Sequence, residues 1–81
     1  MTIKMIADMF FAQYNEIDIS VEMYGGMRGK RKTYTKETFY AEFNGWLDEA
    51  VVTVSFETHY TFCGEIVKKM DRPILFIGYA Q

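Results

Sequence analysis

The sequence predicts an α+β domain of two layers, in which two helices cover one face of a mostly antiparallel sheet of about four strands. Three observations support this fold class. Two segments place apolar residues three and four positions apart, the periodicity of a helix with one buried side. One segment alternates between apolar and polar residues, as a strand with one buried face does. Two later segments are rich in β-branched and aromatic residues, which favour strands.

Size and composition limit the architecture further. The chain has 81 residues, which we expect to form one domain, residues 1–81. Hydrophobic residues make up 49% and aromatic residues 17% of the chain, as in a packed core built from a few large side chains. Barrel enzymes of about 250 residues are excluded by length alone.

The first predicted helix covers residues 2–14, and Thr2 is its expected N-cap. Met5 and Met9 widen its apolar stripe, so we expect both to lie in the core. The stripe itself recurs at helical spacing: Ile3, Ile6, Ala7, Phe10 and Tyr14.

A strand over residues 16–24 follows, with polar side chains facing solvent at Glu16, Asp18, Ser20 and Glu22. The glycines of residues 25–29 predict a hairpin turn, and residues 30–35 return as a charged edge strand. If Tyr24 lies opposite Lys30, then Glu22 lies opposite Lys32 and forms a cross-strand ion pair.

A second helix begins after Thr35, its expected N-cap, and Tyr34 and Phe39 have the spacing of a hydrophobic staple. Asn44 and Gly45 can end this helix early. We expect Trp46 to be buried on its apolar side, which comprises Phe39, Phe43, Trp46, Leu47 and Ala50.

The C-terminal part contains a strand over residues 51–58 and a short buried strand over residues 74–79. Residues 59–70 are the least readable region: Tyr60 and Phe62 suggest an extended strand, Gly64 interrupts it, and residues 65–70 are compatible with a short helix. Residues 71–73 are expected to form a turn, with Pro73 at a strand start or an edge. The predicted element order is therefore α-β-β-α-β-(unassigned)-β.

The basic charge of the chain is concentrated in one segment. Residues 28–32 hold four of the nine Lys and Arg residues, and the rest of the chain carries a formal charge of −6. We interpret this as a cationic hairpin on an acidic body. The predicted contact residues are Met27, Arg28, Lys30, Arg31, Lys32 and Tyr34.

Three interpretations of this hairpin stay open at this point. It binds an acidic protein surface, or it binds nucleic acid through residues 25–35 with its tyrosines stacked on bases. In the third interpretation, the charges only protect an edge strand and pair across the hairpin.

No catalytic set is evident, so we expect the protein not to be an enzyme. His59 and Cys63 lie four residues apart, but no orienting third group accompanies them, and a buried Cys63 is the expected arrangement. A zinc site needs four ligands, and the chain offers only these two residues of the preferred types. We predict no metal and no cofactor, and we expect the glycines of residues 25–29 to form a turn and not a phosphate loop.

A cytoplasmic location is expected, because a single cysteine forms no internal disulfide and small secreted domains usually carry several. The N-terminal residues lack the order of a signal peptide, and no apolar run approaches the roughly 20 residues of a membrane span. A monomer and a homodimer are both compatible with the sequence.

Several segments carry a resemblance to a known group of proteins: the opening helix MTIKMIADMFF, the strand EIDISVEMY and the late strands AVVTVSF and PILFIGY. This plan resembles small accessory proteins of bacteriophages and conjugative elements, some of which are anti-CRISPR or other anti-defence inhibitors. The resemblance implies an inhibitor or regulator in the host-cell cytoplasm and carries over no functional residue. The basic hairpin departs from strongly acidic DNA-mimic inhibitors because it interrupts a continuous negative surface.

Overall fold

The computed structural model describes residues 1–23 and 30–80 and confirms the predicted α+β class. Its helices and strands follow the chain as α1 (Ile3–Phe11), β1 (Ile17–Met23), β2 (Lys32–Tyr34), α2 (Lys36–Glu42), β3 (Val51–Phe62) and β4 (Glu65–Tyr79). The four strands form one sheet in the order β2-β1-β4-β3.

The sheet is mixed, with two antiparallel pairings and one parallel pairing. β1 pairs antiparallel with β2, and β3 pairs antiparallel with β4. β1 and β4 run parallel at the centre, where Asp18–Met23 face Ile74–Tyr79. Two antiparallel strand pairs are thus joined side by side through a parallel contact.

One face of the sheet forms the core together with both helices. The register places Ile19 beside Leu75 and Val21 beside Ile77, so these side chains share a face. The buried hydrophobic cluster comprises Ile3, Ile6, Ala7, Ile17, Ile19, Val21, Tyr34, Phe39, Leu75 and Ile77. The predicted apolar face of β1 is therefore confirmed and lies toward the helices. The prediction that Ser20 faces solvent is wrong, because Ser20 is 4% exposed in the centre of the sheet.

α1 begins at its predicted cap, since the Thr2 hydroxyl accepts a hydrogen bond from the Met5 amide at 3.2 Å. It ends at Phe11 and not at residue 14. The prediction that Met5 and Met9 lie in the core is wrong, because both are exposed. α1 packs with a single face, and these methionines flank that face on the solvent side.

α2 also begins as predicted, because Thr35 and Thr38 form a capping box. The Tyr34 and Phe39 rings lie 5.4 Å apart, which confirms the hydrophobic staple. The helix ends at Glu42, and Trp46 is 43% exposed, so the prediction of a buried Trp46 is wrong. The helical periodicity that placed Trp46 inside does not apply after the helix has ended.

The predicted register of the first hairpin is also wrong. Lys32 lies opposite Ile19 and not opposite Glu22. Its ammonium group binds Glu42 of α2 at 2.8 Å, so the predicted cross-strand ion pair is replaced by one between strand and helix.

β3 and β4 are much longer than predicted and take up the unassigned residues 59–70. The strand extension through Tyr60 and Phe62 is confirmed, whereas residues 65–70 belong to β4 and not to a short helix. The expected turn at residues 71–73 is instead a break in pairing within β4, because pairing with β3 passes from Glu57–Ile74 to His59–Lys69. Pro73 lies in this break, where its missing N–H removes no ladder hydrogen bond. The predicted start of the last strand at residue 74 coincides with the start of pairing to β1.

Substitutions at two phenylalanines, one buried and one exposed, test which side chains form the core. Phe39 is fully buried, whereas Phe62 is 74% exposed. We expect Phe39→Ala to lower the free energy of unfolding by about 3–5 kcal/mol, and Phe62→Ala to change it by no more than about 0.5 kcal/mol. Urea unfolding followed by circular dichroism measures both, and comparable losses would contradict this fold.

Candidate functional site

A two-stranded arm, residues 59–69, extends beyond the rest of the sheet. In this stretch β4 pairs only with β3, because the pairing between β1 and β4 begins at Asp18 and Ile74. Cys63 and Gly64 join the strands with φ angles of +52° and +80°. Two successive positive φ angles in a two-residue loop are typical of a type I′ turn, which matches the twist of a hairpin.

The arm exposes large apolar side chains. None of its residues is buried, and four large side chains are more than half exposed: Tyr60, Phe62, Ile66 and Val67. The register pairs Phe62 with Glu65 and Thr61 with Ile66, so the apolar groups lie on both faces of the ribbon. An isolated hairpin is marginally stable in water, and its exposed apolar groups mark a surface suited to contact with another molecule.

A charged cleft lies where the arm joins the body. It has a volume of about 140 Å³ and is lined by Asp18, Arg31, Tyr60, Lys68, Lys69, Asp71, Arg72 and Ile74. Four cations therefore face two carboxylates. The cleft brings together the basic segment before β2, the solvent-facing side of β1 and the base of the arm.

The Asp18 carboxylate is held in place in this cleft by hydrogen bonds. Its carboxylate accepts hydrogen bonds from the Thr33 hydroxyl at 2.6 Å and from Arg72 Nε at 3.0 Å. Burial opposes ionisation of Asp18, but these hydrogen bonds and the charges of Arg72 and Arg31 lower its pKa below the usual value of 3.8. Asp18 therefore stays charged and holds Arg72 in place, which raises the pKa of that guanidinium.

The predicted contact residues differ in where they lie and in whether they already have a partner. Met27 and Arg28 lie outside the described residues. Lys30 and Arg31 are exposed, and Arg31 lines the cleft. Lys32 is exposed but paired with Glu42.

Tyr34 is 3% exposed, so its predicted role as a surface contact is wrong. Its hydroxyl donates to Glu42 Oε2, and its ring packs against Phe39 and Phe43. Burial and the neighbouring Glu42 raise the pKa of Tyr34. Hydrogen bonds from Lys32 and Tyr34 lower the pKa of Glu42, so this cluster fastens β2 to α2.

His59 and Cys63 do not meet. They occupy one extended strand and its turn, so their Cα atoms are about 13 Å apart at the usual rise of a strand. The Thr58 hydroxyl and His59 Nδ1 share a 2.8 Å hydrogen bond, and Cys63 is exposed at the end of the arm. The prediction of a buried cysteine is therefore wrong. Within residues 1–23 and 30–80, no group of three or more His, Cys, Asp or Glu side chains is placed to hold a metal ion.

Sequence reasoning did not identify the arm. The signal was weak, because its turn is Cys-Gly and not one of the common Asn-Gly or Asp-Gly pairs. The glycine at the second turn position, with aromatic and β-branched residues on both sides, was the available indication.

The chain matches no protein-family model, no curated protein and no solved structure in the comparisons made. Neither of the two described helices has the length and apolar character needed to cross a membrane.

The Asp18 hydrogen bonds give the protein a defined acid sensitivity. We expect Asp18→Asn to lower the free energy of unfolding at pH 7 by about 1–2 kcal/mol, because charge-assisted hydrogen bonds are lost. The wild-type advantage is complete above the ordinary pKa of 3.8 and disappears as the pH falls through the lower pKa of the folded state.

Urea unfolding of both proteins at pH 7, pH 5 and about pH 3 measures this difference. Glu65→Gln, which removes one carboxylate charge from the exposed arm, is the control. A difference between wild type and Asp18→Asn that stays constant across this range would contradict the assignment.

Proposed function

We propose that this chain is a small non-enzymatic module of the cytoplasm that binds a partner protein and blocks part of its surface. The proposal includes an inhibitor or regulator of the kind that phages and other mobile elements carry, such as an anti-CRISPR protein. The arm is the observation that carries it. Residues 59–69 place four exposed apolar side chains beside a cluster of cations on a body with its own core.

The arm has the composition of a protein-contact surface. Phe62 is 74% and Ile66 is 71% exposed, and burial of such side chains on association is favourable in proportion to the apolar area removed from water. Aromatic anchors such as Phe62 and Tyr60 are common at the centres of interfaces. Arg31, retained from the predicted contact set, lines the cleft at the base of the arm. Together with the exposed Lys30 it would steer an acidic partner toward this surface.

The absence of enzymatic activity stays part of the proposal. In the described part of the chain, the carboxylate with a lowered pKa in the cleft, Asp18, is already bound to Thr33 and Arg72. A general base or nucleophile needs a free and suitably placed group, and Asp18 is held instead as a structural anion.

Nucleic-acid binding is the second candidate, and one observation favours it. The Tyr60 ring lines the same cleft as Arg31, Lys68, Lys69 and Arg72. An aromatic ring among cations is the arrangement on which bases of single strands stack. Asp18 and Asp71 lie in the same cleft, however, and would repel a phosphate backbone.

A photo-crosslinking experiment tests protein binding through the arm. We expect benzoylphenylalanine at Val67 to crosslink one defined host protein, because this side chain is 66% exposed on the arm. The same group at Met9, 44% exposed on α1, is expected to give no such product. Mass spectrometry of the crosslinked species identifies the partner and the site.

Capture of that partner by surface variants provides the matched control. Phe62→Ser with Ile66→Ser removes two apolar groups from the arm, and we expect at least about tenfold weaker binding. Met5→Ser with Met9→Ser removes two exposed apolar groups from α1 and is expected to bind as wild type. Equal binding by both double variants, or loss in the α1 variant alone, would overturn the role of the arm.

Salt dependence separates the two candidate functions. We expect no complex between the protein and a labelled single-stranded DNA or RNA of 20 nucleotides at about 50 mM salt and tens of micromolar protein. Fluorescence anisotropy measures this binding. A complex that weakens steeply toward about 200 mM salt would favour the nucleic-acid function and count against the protein-binding proposal.

A further inference from the structure

The cations at the base of the arm differ in whether they already bind a carboxylate. Arg72 donates through Nε to Asp18, which leaves the four N–H donors on its terminal nitrogens without a hydrogen bond among the described residues. Lys68 and Lys69 form no salt bridge with any residue that the structure describes. The cleft therefore offers several donors around a volume of about 140 Å³.

The carboxylates of the cleft do not neutralise these donors. Asp18 accepts hydrogen bonds from Thr33 and Arg72 and lies beside Ile74 in the register of the sheet. With Asp71 it leaves the lining two positive charges in excess. Glu16 also acts on Arg72 from outside the lining, so one additional carboxylate would balance the remaining excess, and a site of this size fits a side chain better than a polymer backbone.

The surroundings limit the positive surface to a short patch. Glu65 lies opposite Phe62 at the end of the arm, and Glu57 lies opposite Ile74 on the body. A nucleic-acid strand needs a continuous cationic groove along its phosphates. The exposed Phe62, which shares a face of the ribbon with Tyr60 and Lys68, instead matches a polypeptide that combines acidic and apolar side chains.

We propose that the cleft at the base of the arm binds a glutamate or aspartate side chain of the partner, with Lys68 and Arg31 as donors. This inference rests on the proposed function and specifies its partner: a protein segment that places a carboxylate beside apolar residues. The arm supplies the apolar contact, and the cleft supplies the charge-assisted hydrogen bonds that fix the register.

Two labelled peptides test the cleft by fluorescence anisotropy. One alternates glutamate with leucine, and the other carries glutamine in place of glutamate. We expect the glutamate peptide to bind at least about tenfold more tightly than the glutamine peptide, as the loss of a hydrogen bond to a charged group implies. Equal affinities, absence of binding by either peptide, or tighter binding of a labelled oligothymidylate would overturn the proposal.

Matched lysine variants locate the site. Lys68→Ser with Lys69→Ser is expected to lower the affinity for the glutamate peptide about tenfold. Lys68→Arg with Lys69→Arg is expected to retain that affinity. Lys4→Ser with Lys36→Ser removes the same charge from two half-exposed lysines near Asp8 and is expected to have no effect. Similar losses in the two serine double variants would show a general charge effect and refute the cleft.

The two proposals can fail separately. If Phe62→Ser with Ile66→Ser abolishes capture of the crosslinked partner while Lys68→Ser with Lys69→Ser does not, the arm binds the partner and the carboxylate site is refuted. If benzoylphenylalanine at Val67 gives no crosslinked protein, the proposed function itself is refuted.

Discussion

The unequal pairing of β4 determines the shape of this molecule. Its C-terminal part, Ile74–Tyr79, lies between β1 and β3, where both neighbours supply hydrogen bonds and the helices cover one face. Its N-terminal part pairs with β3 alone. Met70 and Pro73, both buried, lie where β4 changes from pairing with β3 alone to pairing with β1 and β3. Beyond this change β4 has no second strand beside it, and the side chains of the arm stay exposed or half-buried.

The distribution of ion pairs determines where positive charge is left unpaired on the surface. Lys4 and Lys36 lie within 4 Å of Asp8, and Lys32 binds Glu42, so the cations around the helices are paired. Around the arm, most cations have no carboxylate partner among the described residues. Arg72 is held by Asp18, but Arg31, Lys68 and Lys69 line the same cleft without a salt bridge among the described residues. An acidic chain thus carries a localised positive site.

The sequence was most informative where local and long-range preferences agree. Thr35 at a helix start, followed by Phe39 on the buried side, predicted α2 correctly because capping and hydrophobic burial require the same boundary. The alternation of β1 predicted its buried face for the same reason. The predictions for Met5 and Trp46 were wrong because apolar character alone does not show whether a partner surface lies opposite. Which helix face has a sheet beneath it depends on the tertiary arrangement.

The site was less predictable than the fold. Arg31 was identified from charge alone, but Lys68, Lys69 and Tyr60 lie in a segment without clear periodicity, and only the pairing of β3 with β4 brings them to Arg31. The hairpin register was wrong by three residues because the sequence does not specify the length of the connection. The staple spacing predicted that the Tyr34 ring packs on Phe39, but not that Glu42 would accept the hydrogen bond of its hydroxyl and so allow the whole side chain to be buried.

The independence of residues 59–69 from the hydrophobic core has an evolutionary and a practical consequence. Because none of these side chains is buried, most of them can be replaced without repacking the interior, as long as the turn keeps residues that tolerate its left-handed backbone. Selection can therefore change the side chains that the hairpin exposes while the body stays constant. By the same reasoning, the body can serve as a scaffold onto which a foreign β-hairpin is grafted.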